Sequence, residues 1–299
     1  MISQSLTPAI RGRLHYAEPM AKHTTWRAGG PADQFYVPAD VDDLAAFLRS
    51  LDPSQPVYWL GLGSNLLVRD GGVRGVVIAV AGILNGMSII SPGCVRAEAG
   101  VPGAKLARFS VRQGLSGVEF LAGIPGTVGG ALAMNAGAFG GETWEKVEKV
   151  ETIDRAGVIR TRPREDFKIG YRTVIGPENE WFIAGHFRLA QGPSNAGKSL
   201  IKTLLAKRGA SQPTQLPNAG SVFRNPPGDY AARLIETAGF KGLCEGQACV
   251  SELHANFIVN QGGATAAQIE TLIEKMQIQV EQWHGIKLQT EVRIIGEAL

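Results

Sequence analysis

The sequence predicts an α+β protein with a larger first region and a smaller second one. Helix and strand patterns both recur along the chain, and no internal repeat is present. Two glycine-rich loops lie in the first half, at 61–65 and 117–141, and neither 61–65 nor 121–141 carries a charged side chain. A change of composition at 191–195 marks a boundary between the regions. At 299 residues, the chain is long enough for two or three domains with cores of their own.

The first region begins with a short lead-in at 1–22, for which we expect one helical turn. Apolar residues at helical spacing predict a helix over Val41–Leu51, with Asp40 as its N-cap. Strands are predicted around Phe35, at 57–60 and at 73–80. Together they predict a small parallel β-α-β unit with a glycine loop at the carboxyl end of a strand, where ligands commonly bind.

The remaining elements follow from pattern and turn residues. They are a strand at 95–100, a helix at 103–113, a hairpin of 147–154 with 158–163, a strand at 181–190, a Lys-rich helix at 197–208, a loop at 209–229, a helix at 230–238, and strands at 254–260 and 288–295. The clearest helix is 265–283, because Thr265 and Gln268 form a capping box and Gly285 ends it.

Composition and charge favour a small-molecule partner. The net charge is only +3, and no basic cluster points to nucleic acid. The longest apolar run, Val76–Leu84, is far below the ~20 residues that span a bilayer. The N-terminus lacks the apolar segment of a secretory signal. We therefore expect a cytoplasmic protein without membrane contact, and a monomer.

The three cysteines, Cys94, Cys244 and Cys249, are unevenly spaced and form no CxxC pair. This spacing argues against a disulfide framework and against a structural zinc site. We expect buried or incidental thiols and no metal site.

The stretch 117–141 is the most unusual part of the sequence. It has seven glycines between Gly123 and Gly141 and no charge from Leu121 onward. Glycine lets backbone N–H groups approach a ligand closely, and an anion such as a pyrophosphate benefits from this. The alternative is a buried glycine-rich hairpin with tight turns.

Residues 57–69 form a second loop of this kind, with a strand, a turn of small polar residues and another strand. This is not the dinucleotide fingerprint, because the third glycine and the following helix are missing. Two uncharged loops about sixty residues apart suggest one extended diphosphate ligand held between two lobes.

The run GPSNAGKS at 192–199 satisfies the Walker A pattern in full. It predicts a P-loop nucleotidase if taken alone. No apolar strand ending in a Walker B aspartate follows it. The alternative is a linker that runs into a helix.

Three further polar positions stand in apolar or glycine- and proline-rich surroundings: Tyr171-Arg172, the run 218–226, and Glu291. Each also has an ordinary interpretation, as a surface cation, a turn hydroxyl or a solvent-facing strand residue. Alternation along 288–295 places Glu291 and Arg293 on one face of the predicted strand.

Several motifs, taken in order, resemble the family of UDP-N-acetylenolpyruvoylglucosamine reductases, flavoenzymes of bacterial peptidoglycan synthesis. These are HTTWRAGGPAD, WLGLGSNLLV, GVEFLAGIPGTVGGALAMNAGAFG, GYR, AGSVFRNP, HANFIVN and EVRIIG, spread over roughly residues 20–297. The resemblance implies a two-lobed FAD-binding domain of the vanillyl-alcohol-oxidase type at 23–191, with lobes at about 23–80 and 81–191. It also implies a smaller α/β substrate-binding domain at 195–299.

The same resemblance implies non-covalent FAD, with NADPH as the hydride source. The family's catalytic positions fall on Arg172, Ser221 and Glu291. The implied substrate contacts are Tyr171, Arg224, Asn225 and Arg293. The implied cofactor contacts are Leu60, Gly61, Gly63, Ser64, Asn65, Leu66, Gly123, Ile124, Pro125, Gly126, Thr127, Gly129, Gly130, Asn135, Ala136 and Gly137.

The chain departs from the usual pattern at Trp26, where phenylalanine is common, and at Thr290, where proline is common. The short spacing after 181–190 is similar to that of the subgroup lacking an extra tyrosine-bearing loop.

The implied reaction reduces an enol ether that bears a carboxylate, with hydride at the β carbon and a proton at the α carbon. An arginine such as Arg172 neutralises the charge that builds on the carboxylate, Glu291 holds the same group, and Ser221 delivers the proton. His254 is a candidate relay, with a structural histidine as the alternative. An oxidase of the same FAD fold, acting on a small alcohol or sugar, is the other function class left open.

Overall fold

The computed structural model describes residues 10–299, so the first nine residues of the predicted lead-in lie outside the described residues. The α-helices are α1 Val41–Ser50, α2 Gly103–Arg112, α3 Val128–Met134, α4 Ser194–Ser211, α5 Ala231–Thr237 and α6 Ala266–His284. Short 3₁₀ helices cover Met20–Lys22, Glu119–Gly123, Thr143–Glu145 and Arg164–Asp166.

Twenty short strands accompany them along residues 10–299. They are β1 Arg13–Pro19, β2 Pro31–Val37, β3 Val57–Leu60, β4 Leu66–Val68, β5 Val73–Ala79, β6 Met87–Ser91, β7 Cys94–Glu98, β8 Leu115–Ser116, β9 Gly137–Ala138, β10 Gly141–Glu142, β11 Val147–Asp154, β12 Ile159–Pro163, β13 Lys168–Gly170, β14 Thr173–Ile175, β15 Glu180–Arg188, β16 Ala190–Gln191, β17 Cys244–Glu245, β18 Ala248–Val250, β19 Ile258–Asn260 and β20 Arg293–Ile295. The α+β class is confirmed.

The chain forms two compact units, each assembled from separate stretches of sequence. Unit 1 contains residues up to Tyr16, together with Gln34–Gly61 and Gly75–Gly197. Unit 2 contains Ala17–Asp33, Leu62–Arg74 and Lys198–Leu299. The domain boundaries proposed from sequence, at 22, 80 and 191–195, stay predictions.

Unit 1 has the predicted local structure around its first helix. Asp40 caps α1 by accepting a hydrogen bond from the N–H of Asp43 at 2.8 Å. Strand β3 runs parallel to β5, with Val57 opposite Val76. The larger sheet of unit 1 is antiparallel, in the order β12-β11-β15-β7-β6. The predicted hairpin of 147–154 with 158–163 is confirmed as β11 and β12.

The glycine-rich stretch is more ordered than sequence reasoning predicted, because it contains helix α3. Thr127 caps this helix, its hydroxyl accepting from the N–H of Gly130 at 3.4 Å. The helix ends at Asn135, whose φ of +43° is left-handed. A β-carbon at Gly185 would lie 3.2 Å from Leu132 Cδ1, so glycine on β15 lets α3 pack closely on the sheet.

Unit 2 has its core around α6, whose predicted capping box is present and whose C-cap is Gly285 at φ +66°. Trp26 is completely buried in this core and donates from its indole N–H to the carbonyl of Ile258 at 2.7 Å. The backbone carbonyl of Trp26 accepts from the Asn260 side chain at 2.8 Å. The tryptophan found where the family often has phenylalanine therefore has a specific partner.

Several elements differ from those that the sequence predicts. Residues 13–19 of the predicted lead-in form strand β1, for which no strand was predicted. The strand predicted at 254–260 is reduced to β19, and the one at 288–295 to β20. In both cases apolar residues outside the strand are buried by irregular backbone, so the hydrophobic pattern overestimates strand length.

The expectation of incidental thiols is also wrong for two of the cysteines. Cys244 and Cys249 form a disulfide, and only Cys94 is a free cysteine among residues 10–299. The pair lies at directly opposed positions on β17 and β18, joined by a tight turn. Sequence reasoning considered disulfide frameworks and CxxC motifs, and it missed the hairpin that brings the two residues together.

Along residues 10–299, no helix combines the length and apolar character that a membrane span requires.

Candidate functional site

Gly61 joins the first glycine loop to the second within unit 1. It follows Leu60, which ends β3 and is buried. A β-carbon at Gly61 would lie 2.5 Å from the hydroxyl oxygen of Thr127. Since real side chains do not approach so closely, this contact needs glycine. Two stretches predicted to hold one cofactor therefore meet at this point.

The rest of the first loop belongs to unit 2. Gly63 has φ +62°, and a β-carbon there would collide with the carbonyl oxygen of His23. Ser64 is half-buried in the turn, and Leu66 begins β4. Asn65 is part of a second connection, because its backbone carbonyl accepts from the N–H of Arg293 at 3.1 Å.

Three glycines of the second loop lie where protein packing leaves no room for a side chain. A β-carbon would lie 2.8 Å from the Phe139 ring at Gly123 and 2.9 Å from the Ala99 β-carbon at Gly129. At Gly137 it would lie 2.7 Å from the carbonyl oxygen of Gly141. At these three positions the missing side chain makes room for other protein atoms, and a backbone contact with the cofactor stays a prediction.

Gly130 is different, because its missing side chain faces open space. Among the described residues, and apart from the backbone of its own helix, a β-carbon there would have only the Thr127 hydroxyl within 4 Å, at 3.8 Å. Gly130 and Pro125 are exposed, and Ile124 and Gly126 are half-buried. This uncharged, accessible backbone beside Gly130 suits the approach of a large planar or diphosphate group.

Asn135 lies within the second loop, and its side chain is almost fully buried. Its side-chain amide donates to the carbonyl of Gly170 at 3.1 Å and to Glu142 Oε2 at 2.9 Å. Its side-chain oxygen accepts from the N–H of Trp144 at 3.1 Å. These contacts hold the Asn135 side chain in place, and its predicted contact with the cofactor stays a prediction. The following residues, Ala136 and Gly137, are half-buried.

Arg172 lies against the end of the same loop. Its guanidinium donates to the carbonyl of Gly137 at 2.7 Å and to that of Asn135 at 3.5 Å. Tyr171 and Arg172 form the turn between β13 and β14, and Tyr171 is half exposed. The Arg172 guanidinium carbon lies 5.1 Å from the centre of the Tyr171 ring. A predicted catalytic residue and the predicted cofactor loop are thus joined in unit 1.

The backbone of Arg172 is held in an unfavourable conformation, with φ +52°. A left-handed residue with a long side chain costs about 1–3 kcal/mol and is concentrated at functional sites. The hydrogen bonds to the carbonyls of Gly137 and Asn135 fix the orientation of the Arg172 side chain.

Ser221 and Glu291 lie on two segments of unit 2 that pair through their backbones. The carbonyl of Val222 accepts from the N–H of Glu291 at 2.8 Å and from that of Val292 at 3.3 Å. Ser221 and Glu291 are both half-buried, whereas Val222 and Val292 are buried. The structure therefore brings two of the three predicted catalytic residues onto adjoining segments.

The pairing continues for two further residues. Phe223 bridges Thr290 in antiparallel fashion, and the N–H of Arg224 donates to the carbonyl of Gln289 at 2.9 Å. The side chain of Asn65 donates to the carbonyl of Glu291 at 3.1 Å. A residue of the first glycine loop and the two acid–base candidates thus belong to one hydrogen-bonded group.

The predicted substrate contacts in unit 2 have different surroundings. Arg224 is half-buried, and Arg293 is exposed at the start of β20. Asn225 is exposed, and its side-chain oxygen accepts from the N–H of Ala231 at 3.1 Å, at the start of α5. Asn225 therefore has a structural role at the start of α5, in addition to its predicted role as a substrate contact.

His254 has the environment of a structural histidine. Its Nδ1 accepts from the backbone N–H of Asn256 at 3.3 Å, and its ring packs edge-on against Phe257 with centroids 4.7 Å apart. Burial lowers the pKa of His254 below its ordinary value. The ring is therefore neutral near neutral pH, and its Nδ1 is already occupied.

Sequence reasoning missed Asn256, which contacts the segment of Ser221 directly. Its side-chain oxygen accepts from the N–H of Phe223 at 2.9 Å, and its side-chain nitrogen donates to the carbonyl of Phe223 at 2.8 Å. The available signal is an asparagine inside the largely apolar run 254–260, for which the sequence predicts a strand.

The Walker-type run does not form a phosphate loop. Helix α4 begins at Ser194, so six of its eight residues are helical. Gly197 donates to the carbonyl of Pro193 at 3.2 Å, and a β-carbon on it would lie 2.7 Å from a methyl of Val111. The glycine serves close packing of α4, and Lys198 is exposed.

Two family models match the chain. Residues 32–162 match the model described as an FAD binding domain. Residues 212–295 match the C-terminal domain of UDP-N-acetylenolpyruvoylglucosamine reductase. The first match identifies the chain as a flavoprotein. The second match favours the reductase over an oxidase of the same FAD fold, because it is specific to the C-terminal domain of the reductase.

Whole-chain comparisons agree with both models. A protein of Alkalilimnicola ehrlichii named UDP-N-acetylenolpyruvoylglucosamine reductase is 58% identical, over 96% of each chain. One of the same name from Methylococcus capsulatus is 58% identical, over 96% of this chain and 95% of its own. The chain belongs to the UDP-N-acetylenolpyruvoylglucosamine reductase family.

The fold is similar to a solved member of that family. The crystal structure of UDP-N-acetylenolpyruvylglucosamine reductase from Thermus caldophilus matches with a TM-score of 0.82 at 32% identity. The match covers 96% of this chain and 99% of the other.

The helical Walker-type run leads to a simple prediction. Lys198→Ala removes an exposed side chain outside the predicted site, so the free energy of unfolding should change by no more than ~0.5 kcal/mol and flavin reduction should be unchanged. Calorimetric titration of the wild-type protein with ATP should show no binding. Measurable ATP affinity that Lys198→Ala abolishes would restore the nucleotidase interpretation.

Proposed function

We propose that this protein reduces the enolpyruvyl group of UDP-N-acetylglucosamine enolpyruvate to UDP-N-acetylmuramate, with NADPH as reductant and FAD as bound cofactor. The observation that carries the proposal is the backbone pairing of the Ser221 and Glu291 segments in a chain of this family. In this pairing, one residue able to donate a proton and one able to hold a carboxylate are fixed together.

The accessible backbone around Gly130 and the contact of Gly61 with Thr127 support FAD as the cofactor. Two groups of residues are proposed to hold it, Leu60–Leu66 without Leu62, and Gly123–Gly137 at the positions named from sequence. No histidine or cysteine lies in either loop, so the attachment is non-covalent. The chemistry that bound FAD would supply here is hydride transfer between NADPH and the β carbon of the substrate.

Arg172 is proposed to neutralise the charge that builds on the substrate carboxylate as hydride arrives. Its guanidinium donates to the carbonyl of Gly137 at 2.7 Å. That contact supports the role, because a charged donor held by fixed partners needs little reorganisation during reaction. The left-handed backbone of Arg172 supports it further.

Ser221 is proposed to deliver a proton to the α carbon, and Glu291 to hold the substrate carboxylate by sharing a proton with it. The product then carries one hydrogen from NADPH and one from Ser221, and solvent must restore the serine proton. A structural role is proposed for His254, because its Nδ1 accepts from the N–H of Asn256 and its ring packs against Phe257. Tyr171, Arg224, Asn225 and Arg293 are proposed as substrate contacts.

We propose the domain organisation that the sequence predicts. It comprises a lead-in at 1–22, an FAD-binding domain at 23–191 and a substrate-binding domain at 195–299. The proposed protein is a cytoplasmic monomer whose partners are a UDP-sugar and NADPH.

Gly130→Ala tests the cofactor site without disturbing the fold. The new methyl would enter open space on α3, and alanine is the better helix former by roughly 0.5–1 kcal/mol. We expect the apoprotein to keep or gain stability in urea unfolding, while FAD affinity, measured by fluorescence quenching, falls at least tenfold.

Gly209→Ala is the matched control, because this glycine is also helical and has nothing within 4 Å of its β-carbon position. It should leave FAD affinity unchanged. Unchanged affinity in Gly130→Ala would show that this face does not receive FAD.

Ser221→Ala tests the proton donor by separating the two half-reactions in anaerobic stopped-flow. Reduction of the bound flavin by NADPH needs no proton on the substrate, so its rate should stay near that of the wild type. Reoxidation by the enolpyruvyl substrate should slow by the ~10²–10⁴-fold expected for a positioned acid. Ser221→Cys should recover part of the rate, since a thiol can also donate.

A hydroxyl that only stabilises its turn gives a different result. It predicts a modest loss of stability and equal effects on both half-reactions. Reoxidation within a few-fold of wild type in Ser221→Ala would remove Ser221 from the mechanism.

A further inference from the structure

Asn256 makes an unusual set of contacts for a buried side chain. Only 3% of it is exposed, and its carboxamide satisfies both the N–H and the carbonyl of one residue, Phe223. Its backbone carbonyl also accepts from the N–H of Val222 at 2.9 Å. Asn256 thus takes the place of a neighbouring strand for two consecutive residues.

The opposite edge of the same two residues pairs with the segment of Glu291. Val222 and Phe223 are therefore held from both sides, and both are about 1% exposed. Ser221 is the residue directly before them. A shift of its backbone would therefore strain the hydrogen bonds of these two buried neighbours, and a buried group that loses its partner is costly.

The chemistry of the contact requires a carboxamide. An aspartate would accept from the N–H of Phe223 but would place a second acceptor against its carbonyl. Serine and threonine are too short to reach both groups, and an apolar residue would leave both unpaired. Burying a polar residue here is costly unless both bonds are made.

We propose that Asn256 is a positioning residue for proton delivery, acting through the backbone of Val222 and Phe223 to place the Ser221 hydroxyl. The inference rests on the proposed function and deepens it. Because Val222 also holds Glu291, the asparagine sets the distance between the proton donor and the carboxylate-holding residue. Misplacement of about 1 Å costs ~10²-fold in such a step.

Asn260 is a matched control on the same segment. It is equally buried, at 3%, and its side chain also donates to one carbonyl and accepts from backbone N–H groups. Its partners are Trp26 and the loop of Gly262 and Ala264, and none of them adjoins Ser221. Asn260→Ala and Asn256→Ala should lose similar stability.

The two variants should differ in catalysis of the holoenzyme. Asn256→Ala should slow reoxidation of the flavin by the enolpyruvyl substrate about 10²-fold, with reduction by NADPH within a few-fold of wild type. Asn260→Ala should leave both half-reactions within a few-fold. In hydrogen exchange by mass spectrometry, the peptide covering 221–224 should lose protection in Asn256→Ala only.

A double-mutant cycle shows whether Asn256 acts through the serine. In the Ser221→Ala background, Asn256→Ala should add much less than its ~10²-fold effect, because there is no donor left to place. Full multiplication of the two effects would overturn the inference, as would equal slowing of both half-reactions by Asn256→Ala.

Asn256→Asp provides a second test if the alanine variant does not fold. A protonated aspartate can donate to the carbonyl of Phe223 and an ionised one cannot, and burial raises the pKa of such a group. The reoxidation rate relative to wild type should therefore rise as the pH is lowered from about 8 to 5.5. A ratio that stays constant would contradict the assignment.

Failure of the proposed function is distinguishable from failure of this inference. If the wild-type flavin is not reoxidised by the enolpyruvyl substrate, both are lost. If the wild type is active and Ser221→Ala is slow, only the comparison of Asn256 with Asn260 decides the positioning role.

Discussion

The arrangement of the proposed acid–base residues depends on the backbone of Val222 and Phe223. These two residues have hydrogen-bonding partners on both edges, one edge supplied by Asn256 and the other by the segment of Glu291. The same group extends through Asn65 to the first glycine loop. These hydrogen bonds hold the backbone of Val222 and Phe223 on both edges, as neighbouring strands would in a sheet. The separation between the segments of Ser221 and Glu291 is thereby fixed.

A comparable constraint operates in unit 1, where glycines and one asparagine set the shape of the second loop. Gly61, Gly123, Gly129 and Gly137 are needed because protein atoms occupy the space of a side chain. Asn135 ties the loop to the carbonyl of Gly170, and the neighbouring Arg172 donates back to the loop. The hydrogen bonds from Arg172 to the second loop therefore hold the side chain of this strained turn in place.

Local structure was predictable wherever a single physical signal dominates. The capping box at Thr265, the N-cap at Asp40 and the hairpin of β11 and β12 need only neighbouring residues. Strand lengths near 254–260 and 288–295 were overestimated, because tertiary packing buries irregular backbone there. The disulfide between Cys244 and Cys249 depends on a short hairpin that has little hydrophobic pattern of its own.

Motif order identifies the family and so supplies the residues proposed for the site, but the contacts of those residues within the protein could not be predicted from sequence. Sequence could not reveal that Gly130 faces open space while Gly129 does not, because the difference arises from Ala99 on a distant segment. Likewise, the link from Asn256 to Phe223 joins residues thirty-three positions apart through side-chain atoms. The Walker-type run shows that a complete sequence motif can be misleading. Its residues from Ser194 onward are helical, so they do not form the phosphate-binding loop that the motif predicts.

The central claim is that NADPH and the enolpyruvyl substrate react with each other through this protein. Its most direct test is mass spectrometry of the UDP-sugar after anaerobic incubation of the FAD-loaded protein with both compounds. The account predicts a product heavier by two hydrogen atoms, formed in equal amount to the NADP⁺. Unchanged UDP-sugar, with NADPH consumed only once oxygen is admitted, would contradict it.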